Sequence, residues 1–578
     1  MTTRVWSQWD RALVLLAAAL SLLLVVSAAD FDTSQQLFVN TSYYFLLASV
    51  LCWAGTYLHA ARDLRKAALV AWIEDNWPGL LLAFAVTVIA GLAVEPALRL
   101  LSDEANLVGT SKNFFASRTA TFTISGKNYY DSYWDVDVAI DRRPALFPFL
   151  VSLLHAARGY SYKNAFLFNL LVLPAFLLVV YRFCKSLAGE TFALVAALFV
   201  VAHPIVLISL RSGGFDFFCN FFALLVIKSL LDFTREQSAP KLAIVWINLC
   251  LFAEIRYETA LFIPPILVLL LLFKMVNGRL LRPYAFVYAL TPVYLAPRVW
   301  QSVVRGNIPE QEPGAIAFSL QNFSSNVREY FRPLLSPAEP LADHSALLIA
   351  LGVLGGLWWL RWVFGSARAK EWRTPQLRFA LFVIAWVLLQ VTISFSYVWG
   401  RAQYPSVARL FIAVDTLFSI AAAWLLVLLL ERWRMFVAVL VAAAVFAISV
   451  PVAAQHRRFN RLTQTRESRA TWSFFERLGE KRILIVTDHP NLFTIMDYGA
   501  LNFESARRDP YLFTAFARHL FYDLYVIQQI QLSTNAPRPG YEIWPSRKLE
   551  TVLEFQNDAD VLVRISRVVH EATEPEGR

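Results

Sequence analysis

"LLSDEANLVG", residues 100–109, follows about twenty residues dominated by Leu, Ala, Val and Gly. Two adjacent carboxylates, Asp103 and Glu104, therefore stand where an apolar run leaves what reads as hydrocarbon. Acidic residues often close a membrane span at the water boundary. The other reading is a catalytic carboxylate held at a fixed depth. The choice depends first on whether the run is a membrane span at all.

Composition answers that part. Of 578 residues, 57% are hydrophobic and 17% charged, with a mean hydropathy of +0.49. A soluble chain with that balance lacks the polar surface to stay dissolved, and several runs reach the about 18–20 apolar residues that cross a bilayer. The formal charge of +10 is not a nucleic-acid footprint. Lys and Arg gather in short connectors between apolar runs: "ARDLRK" (61–66), "YRFCK" (181–185), "FKMVNGRLLRP" (273–283) and the stretch 361–378. Cytoplasmic loops carry that bias. Cys52, Cys184, Cys219 and Cys250 all lie in or beside apolar runs, without the spacing of a metal knuckle, and read as small buried apolar residues.

Apolar runs mark spans near 12–29, 43–60, 79–100, 163–182, 191–209, 214–231, 241–257, 259–275, 283–300, 345–363, 379–396, 407–430 and 434–453. The expectation is an α-helical polytopic membrane protein of about thirteen transmembrane helices, since runs this long are not barrel strands. The first run ends in "VVSAAD", similar to a signal-peptidase site. With the N-terminus inside, every basic connector falls in the cytoplasm, and the external loops 101–162 and 301–344 fall outside. Within the first of these, "PALFPFLVSLLHAAR" (144–158) is too short to span comfortably and reads as an interfacial helix. From 454 the chain turns polar. "KRILIVTD" (481–488) and "DADVLVRISRVV" (558–569) read as strands, and "DPYLFTAFARHLFYDLYVIQQI" (509–530) as helical, giving a small external α/β domain over 454–578. Asp488 and His489 read as a strand-end turn.

Four charged constellations then fall at outer ends of spans: Asp103-Glu104, "DRRP" (141–144), "RSGGFD" (211–216) and "AEIRYET" (253–259). Ionisable groups at membrane depth cost about 2.5–3.5 kcal/mol each on insertion scales, so they have partners or a function. Singly they admit plain explanations: a boundary residue, an Arg211–Asp216 structural ion pair, a loop. Jointly they place carboxylates and guanidiniums on one face. Carboxylates take protons from hydroxyls, and Arg recognises phosphate.

The ordered set resembles the C-type (GT-C) membrane glycosyltransferases, with the protein O-mannosyltransferases and the lipid A aminoarabinose transferases as the most similar branches. The carrying features are the helix ending in Asp-Glu, the long external loop, "RRPALFPFLVSLLHAARG" (142–159), the Arg-x4-Asp turn and "RAQYPSVARLFIAVDTLFSIAAA" (401–423). The likeness covers roughly 79–430, within an expected catalytic module over 79–453 that follows two extra N-terminal spans within 1–78. Three places after Asp103 stands Asn106, where the aminoarabinose branch has Arg.

The resemblance implies an inverting transfer of sugar from a polyprenyl-phosphate donor to a hydroxyl of an envelope lipid, glycan or protein. It implies Asp103 as catalytic base and Glu104 as acceptor-binding residue. Arg143, Arg211, Arg256 and Arg409 would face the donor phosphate, with Asp216 and Glu258 in support. No cofactor is expected beyond the lipid-linked sugar, and no metal. The expected setting is a bacterial inner membrane, with the N-terminus cytoplasmic and the active site and C-terminal domain periplasmic. Two other classes use charges in a helical bundle: a secondary transporter, and a non-catalytic subunit of envelope assembly. The long aromatic loop and the absence of visible repeats speak against the transporter.

Overall fold

The computed structural model describes residues 8–62, 66–99, 101–130, 132–306, 318–335, 344–368, 374–398, 400, 405–430, 434–455, 463–544, 547–558 and 560–569. Parts of the expected basic connectors (63–65, 369–373), of the second external loop (307–317, 336–343) and of the late helix motif (401–404) lie outside the described residues. Two compact units emerge. The first comprises Met1–Ala97, Arg142–Phe149 and Ala165–His456, and the second Leu98–Asp141, Leu150–Asn164 and Arg457–Arg578.

The first unit is helical. Among the described residues, eight helices are long and apolar enough to cross a membrane: Phe31–Ala61, Leu69–Ala93, Asn164–Ala188, Asp216–Arg235, Ala346–Arg368, Pro375–Ser396, Arg409–Leu429 and Met435–Gln455. This is an integral membrane protein with multiple spans, but the expected thirteen full-length helices are not all there. The runs near 12–29, 241–257 and 259–275 give the shorter helices Ala12–Ser27, Ala239–Ala253 and Thr259–Leu272. The run 191–209 is split into Glu190–Val201 and Pro204–Ser209, with Pro204 at the first position of the new helix. The run 283–300 is split near Leu290. Apolarity alone did not reveal these breaks.

Side chains on the long helices behave as a lipid-facing surface requires. Leu92 is 85% exposed, and Trp358, Trp362 and Phe436 also face outward. Inside, the helix Ala346–Arg368 lies hard against Ile412–Leu429. A Cβ on Gly352 would come within 2.5 Å of the Phe418 carbonyl, and at Gly355 the Ala421 carbonyl fills the same place. Small residues permit that approach.

The third expected span needs correction. Its helix stops at Ala93, residues 94–98 are non-helical, and a separate helix, Leu101–Ala116, follows. Pro96 accounts for the stop, because a proline disfavours helical backbone in the residue before it. Asp103 and Glu104 therefore open a helix rather than close one.

That helix belongs to the second unit, whose centre is a mixed sheet. Its strands are β1 (Phe122–Tyr129), β2 (Ser132–Ala139), β3 (Ile483–Val486), β4 (Gly499–Leu501), β5 (Asp523–Gln531), β6 (Ala536–Pro537), β7 (Leu549–Asp558) and β8 (Val561–Val568). They run β2-β1-β4-β3-β5-β8-β7, with β6 beside β5. β3 pairs in parallel with β4 and β5, and the other pairings are antiparallel. The aromatic stretch between 122 and 139 is thus a hairpin, and Gly126 opposite Ala500 joins it to the C-terminal strands. The core is Leu484, Val486, Leu501, Phe521, Leu524 and Val526. The helix expected over 509–530 is confined to Leu512–Ala517, and its second half is β5. "YVIQQI" is rich in β-formers and buried on both faces, where periodicity does not separate strand from helix.

Candidate active site

Asp103 and Glu104 occupy the first turn of Leu101–Ala116. A helix N-terminus presents unpaired N–H groups and a positive dipole end, which favour ionised carboxylates. Glu104 is 1% exposed and accepts the backbone N–H of Arg99 at 3.0 Å, which closes the chain back onto the helix start. Asp103 is only partly buried. A partly buried carboxylate can meet an incoming hydroxyl, whereas Glu104 is built into the turn.

In the helical unit a second group of charges converges. Asp216 is the first residue of the helix Asp216–Arg235 and is 7% exposed. One of its oxygens accepts Nη1 of Arg256 at 2.5 Å and the other Nη1 of Arg409 at 2.8 Å. Nε of Arg256 lies 2.5 Å from Glu258 Oε1. Breaks in helical structure supply the partners: Arg256 and Glu258 sit in the turn after Ala253, and Arg409 begins a 3-10 turn. The result is a nearly dry, alternating array of two guanidiniums and two carboxylates. A small open cleft lies beside it, lined by the polar Arg256, Glu258, Ser394 and Tyr397 and by the apolar Phe318, Ile393 and Leu410.

Two other expected phosphate contacts lie in that unit. Arg211 does not pair with Asp216. Its Nε donates to the carbonyl of Val94 at 3.0 Å and its Nη2 to that of Gly91 at 3.4 Å, so it caps the C-terminus of the helix Lys66–Ala93. Arg143 stands just ahead of the helix Leu146–Arg158, its backbone carbonyl held by the Gln301 side-chain amide. The structure thus brings together Arg256, Arg409, Asp216 and Glu258, and sets Arg211 at the end of another helix.

One buried cluster was missed. Asp415 accepts the Tyr330 hydroxyl at 2.6 Å and pairs with His344 Nδ1 at 2.7 Å. His203 Nδ1 accepts the Ser345 N–H at 3.2 Å, and its Nε2 lies 3.0 Å from the Ser419 hydroxyl. Two histidines and a carboxylate are metal-ligand types within 4.8 Å of one another. Both nitrogens of His203 and both oxygens of Asp415 are nevertheless engaged in hydrogen bonds, which makes the group a structural network. An aspartate alone inside the apolar run 407–430 was the available signal.

Comparison with known proteins adds a partial family match and a fold. Residues 142–300 match the family described as dolichyl-phosphate-mannose-protein mannosyltransferase. The structure is similar to that of ArnT from Cupriavidus metallidurans bound to undecaprenyl phosphate, with a TM-score of 0.50 and 14% identity over 84% of this chain and 97% of that one. The chain shares the fold of that membrane glycosyltransferase, and the family match covers its residues 142–300. The apo state of the same ArnT aligns at a TM-score of 0.40, with 12% identity over 86% of this chain and 98% of that one. The apo oligosaccharyltransferase of Archaeoglobus fulgidus aligns at 0.44, with 11% identity over 79% of this chain and 70% of that one. No curated protein matches the sequence. The family match takes in Arg143, Arg211, Asp216, Arg256 and Glu258, and Asp103 precedes it.

Proposed function

We propose that the protein moves a sugar from a polyprenyl-phosphate donor to a hydroxyl of an envelope lipid, glycan or protein acceptor, at the outer membrane face and with inversion. The observation that carries this reading is the Arg409–Asp216–Arg256 array beside a cleft lined by both polar and apolar side chains. A lipid phosphate needs both surfaces. The family's description names a dolichyl-phosphate sugar, and the ArnT structure holds undecaprenyl phosphate; both fit a donor of this class.

In this reading Asp103 accepts the proton of the acceptor hydroxyl as its oxygen attacks the anomeric carbon. The bond from that carbon to the phosphate oxygen breaks, and the electron pair leaves with the polyprenyl phosphate. Arg256 and Arg409 offset the charge that develops there, an electrostatic contribution that grows toward the transition state. Bidentate guanidinium geometry suits the phosphate. Glu104 fixes the turn that carries Asp103, so we assign it to holding the base as well as to acceptor binding. The reading calls for no metal and no cofactor other than the lipid-linked sugar.

The test is transfer itself. Purified protein in proteoliposomes, given polyprenyl-phosphate sugars and envelope extracts, should release polyprenyl phosphate and form a glycosylated product visible by mass spectrometry. Movement of the lipid or sugar across the bilayer with no new glycosidic bond would replace the enzyme reading with the transporter reading.

A further inference from the structure

A general base is useful only if it is held in place, since a misplacement of about 1 Å can cost a hundredfold in rate. Leu101–Ala116 carries Asp103 in its first turn, so whatever grips this helix sets the position of the base. The grip comes from a segment nearly four hundred residues later in the chain. Asn491 starts the short helix Asn491–Thr494, and its side-chain amide donates to Asn106 Oδ1 at 2.9 Å. Asn106 is three residues, just under one helical turn, from Asp103.

The same segment meets the helix twice more. Gly109 has no Cβ; one placed there would lie 3.0 Å from Phe122 Cβ and 3.7 Å from Ile495 Cγ2, so strand β1 and Ile495 close directly on the helix. Lys112 is 9% exposed, donates to the Thr494 carbonyl at 2.7 Å and pairs with Asp497 at 2.8 Å. Its ammonium also lies 3.9 Å from the centre of the Tyr133 ring. Asn106, Gly109 and Lys112 are spaced three apart and so form one slowly winding stripe. The segment is itself anchored: the Thr494 hydroxyl donates to the Thr123 carbonyl at 3.1 Å, and the Tyr160 hydroxyl donates to the Ile495 carbonyl at 2.5 Å. A buried lysine is costly unless well partnered, and a hydrophobic residue would fill the place more simply. Hydrogen bonds of fixed direction add register, which apolar packing does not.

We propose that residues 491–497 are a positioning element for Asp103, acting through the Asn491–Asn106 bond and the Lys112 anchor. The inference rests on the reading of Asp103 as the base. It gives the C-terminal sheet region a part in the reaction, with Asn491, Asn106 and Lys112 as positioning residues that touch no substrate.

The experiment uses the full chain in proteoliposomes with a polyprenyl-phosphate sugar as donor. Asn491→Ala, Asn106→Ala, their double variant, Lys112→Met and Lys112→Arg are compared with Asp103→Asn. Each alanine variant should lose about tenfold in kcat, with donor KM and Tm nearly unchanged, because the base is displaced while the donor site and fold remain. The double variant should lose no more than either single one, because both remove the same bond. Lys112→Met should fall further than Lys112→Arg, which keeps the charge. Unchanged kcat in both alanine variants, multiplying losses in the double variant, or losses that follow a fall in Tm would overturn the proposal. Those results with an inactive Asp103→Asn would leave the base assignment standing. An active Asp103→Asn would remove both readings.

Discussion

Asp216 and Arg256 meet at 2.5 Å in the helical unit, and the second oxygen of the same carboxylate holds Arg409. One aspartate thus keeps two guanidiniums in place beside the cleft. Two cations so close would repel each other without it. In the proposed reaction a phosphate takes over that role, so the array should respond to ligand.

Asp216→Asn keeps the side-chain shape and removes its charge. Breaking a buried pair costs about 3–5 kcal/mol, because the partner is left uncompensated. The variant should melt several degrees below the parent protein, and polyprenyl phosphate should raise its Tm by more than it raises the parent's. Thermal unfolding with and without the lipid checks both statements. Equal ligand-induced shifts in the two proteins would separate the array from the phosphate.

Much of this architecture was legible in the sequence, for physical reasons that can be named. Membrane helices announce themselves by continuous apolarity, and "KRILIVTD" by an apolar run of strand length. Charges at span ends also stood out, because their insertion is costly. Partner choice was not legible. "RSGGFD" invites an Arg211–Asp216 pair by proximity in sequence, yet Arg211 caps a helix and Asp216 reaches residues 40 and 193 positions away. The break at Pro96 was visible in principle, but continuous hydropathy masked it and turned a helix start into a helix end. The hairpin of β1 and β2 gave only a local signal. Its place in a sheet with strands beyond residue 480 is a long-range pairing that no window of sequence contains.

The second unit should be sensitive to acid through His155. Burial depresses its pKa from 6.5 to about 4, and its ring is held between the Asn164 amide and the Ser111 hydroxyl. Between those values the unfolded chain binds the proton and the folded one does not. The contribution to stability is therefore complete above pH 6.5 and is lost as pH falls through about 4. Each pH unit within the window costs up to about 1.4 kcal/mol. Unfolding midpoints measured across pH 4–7 should show this slope, and His155→Phe should flatten it. An equal slope in the variant would assign the titration to another group.

Orientation can be checked from two exposed positions. With the four native cysteines replaced, Thr534→Cys in the C-terminal sheet region and Arg279→Cys in the connector 273–283 should react with an impermeant maleimide from opposite sides. The basic connectors argue for a cytoplasmic Arg279. Labelling of both from one side would contradict an outward-facing sheet region, and with it the outer-face setting of the reaction.

The most direct measurement is single-turnover transfer by Asp103→Asn, with donor binding followed in the same samples. An amide keeps the size of the carboxylate but cannot accept the proton. Loss of a general base usually costs about 10²–10⁴ in rate. The account predicts a loss of that size, with polyprenyl-phosphate-sugar affinity unchanged. Transfer at the parental rate by a folded Asp103→Asn protein would contradict it.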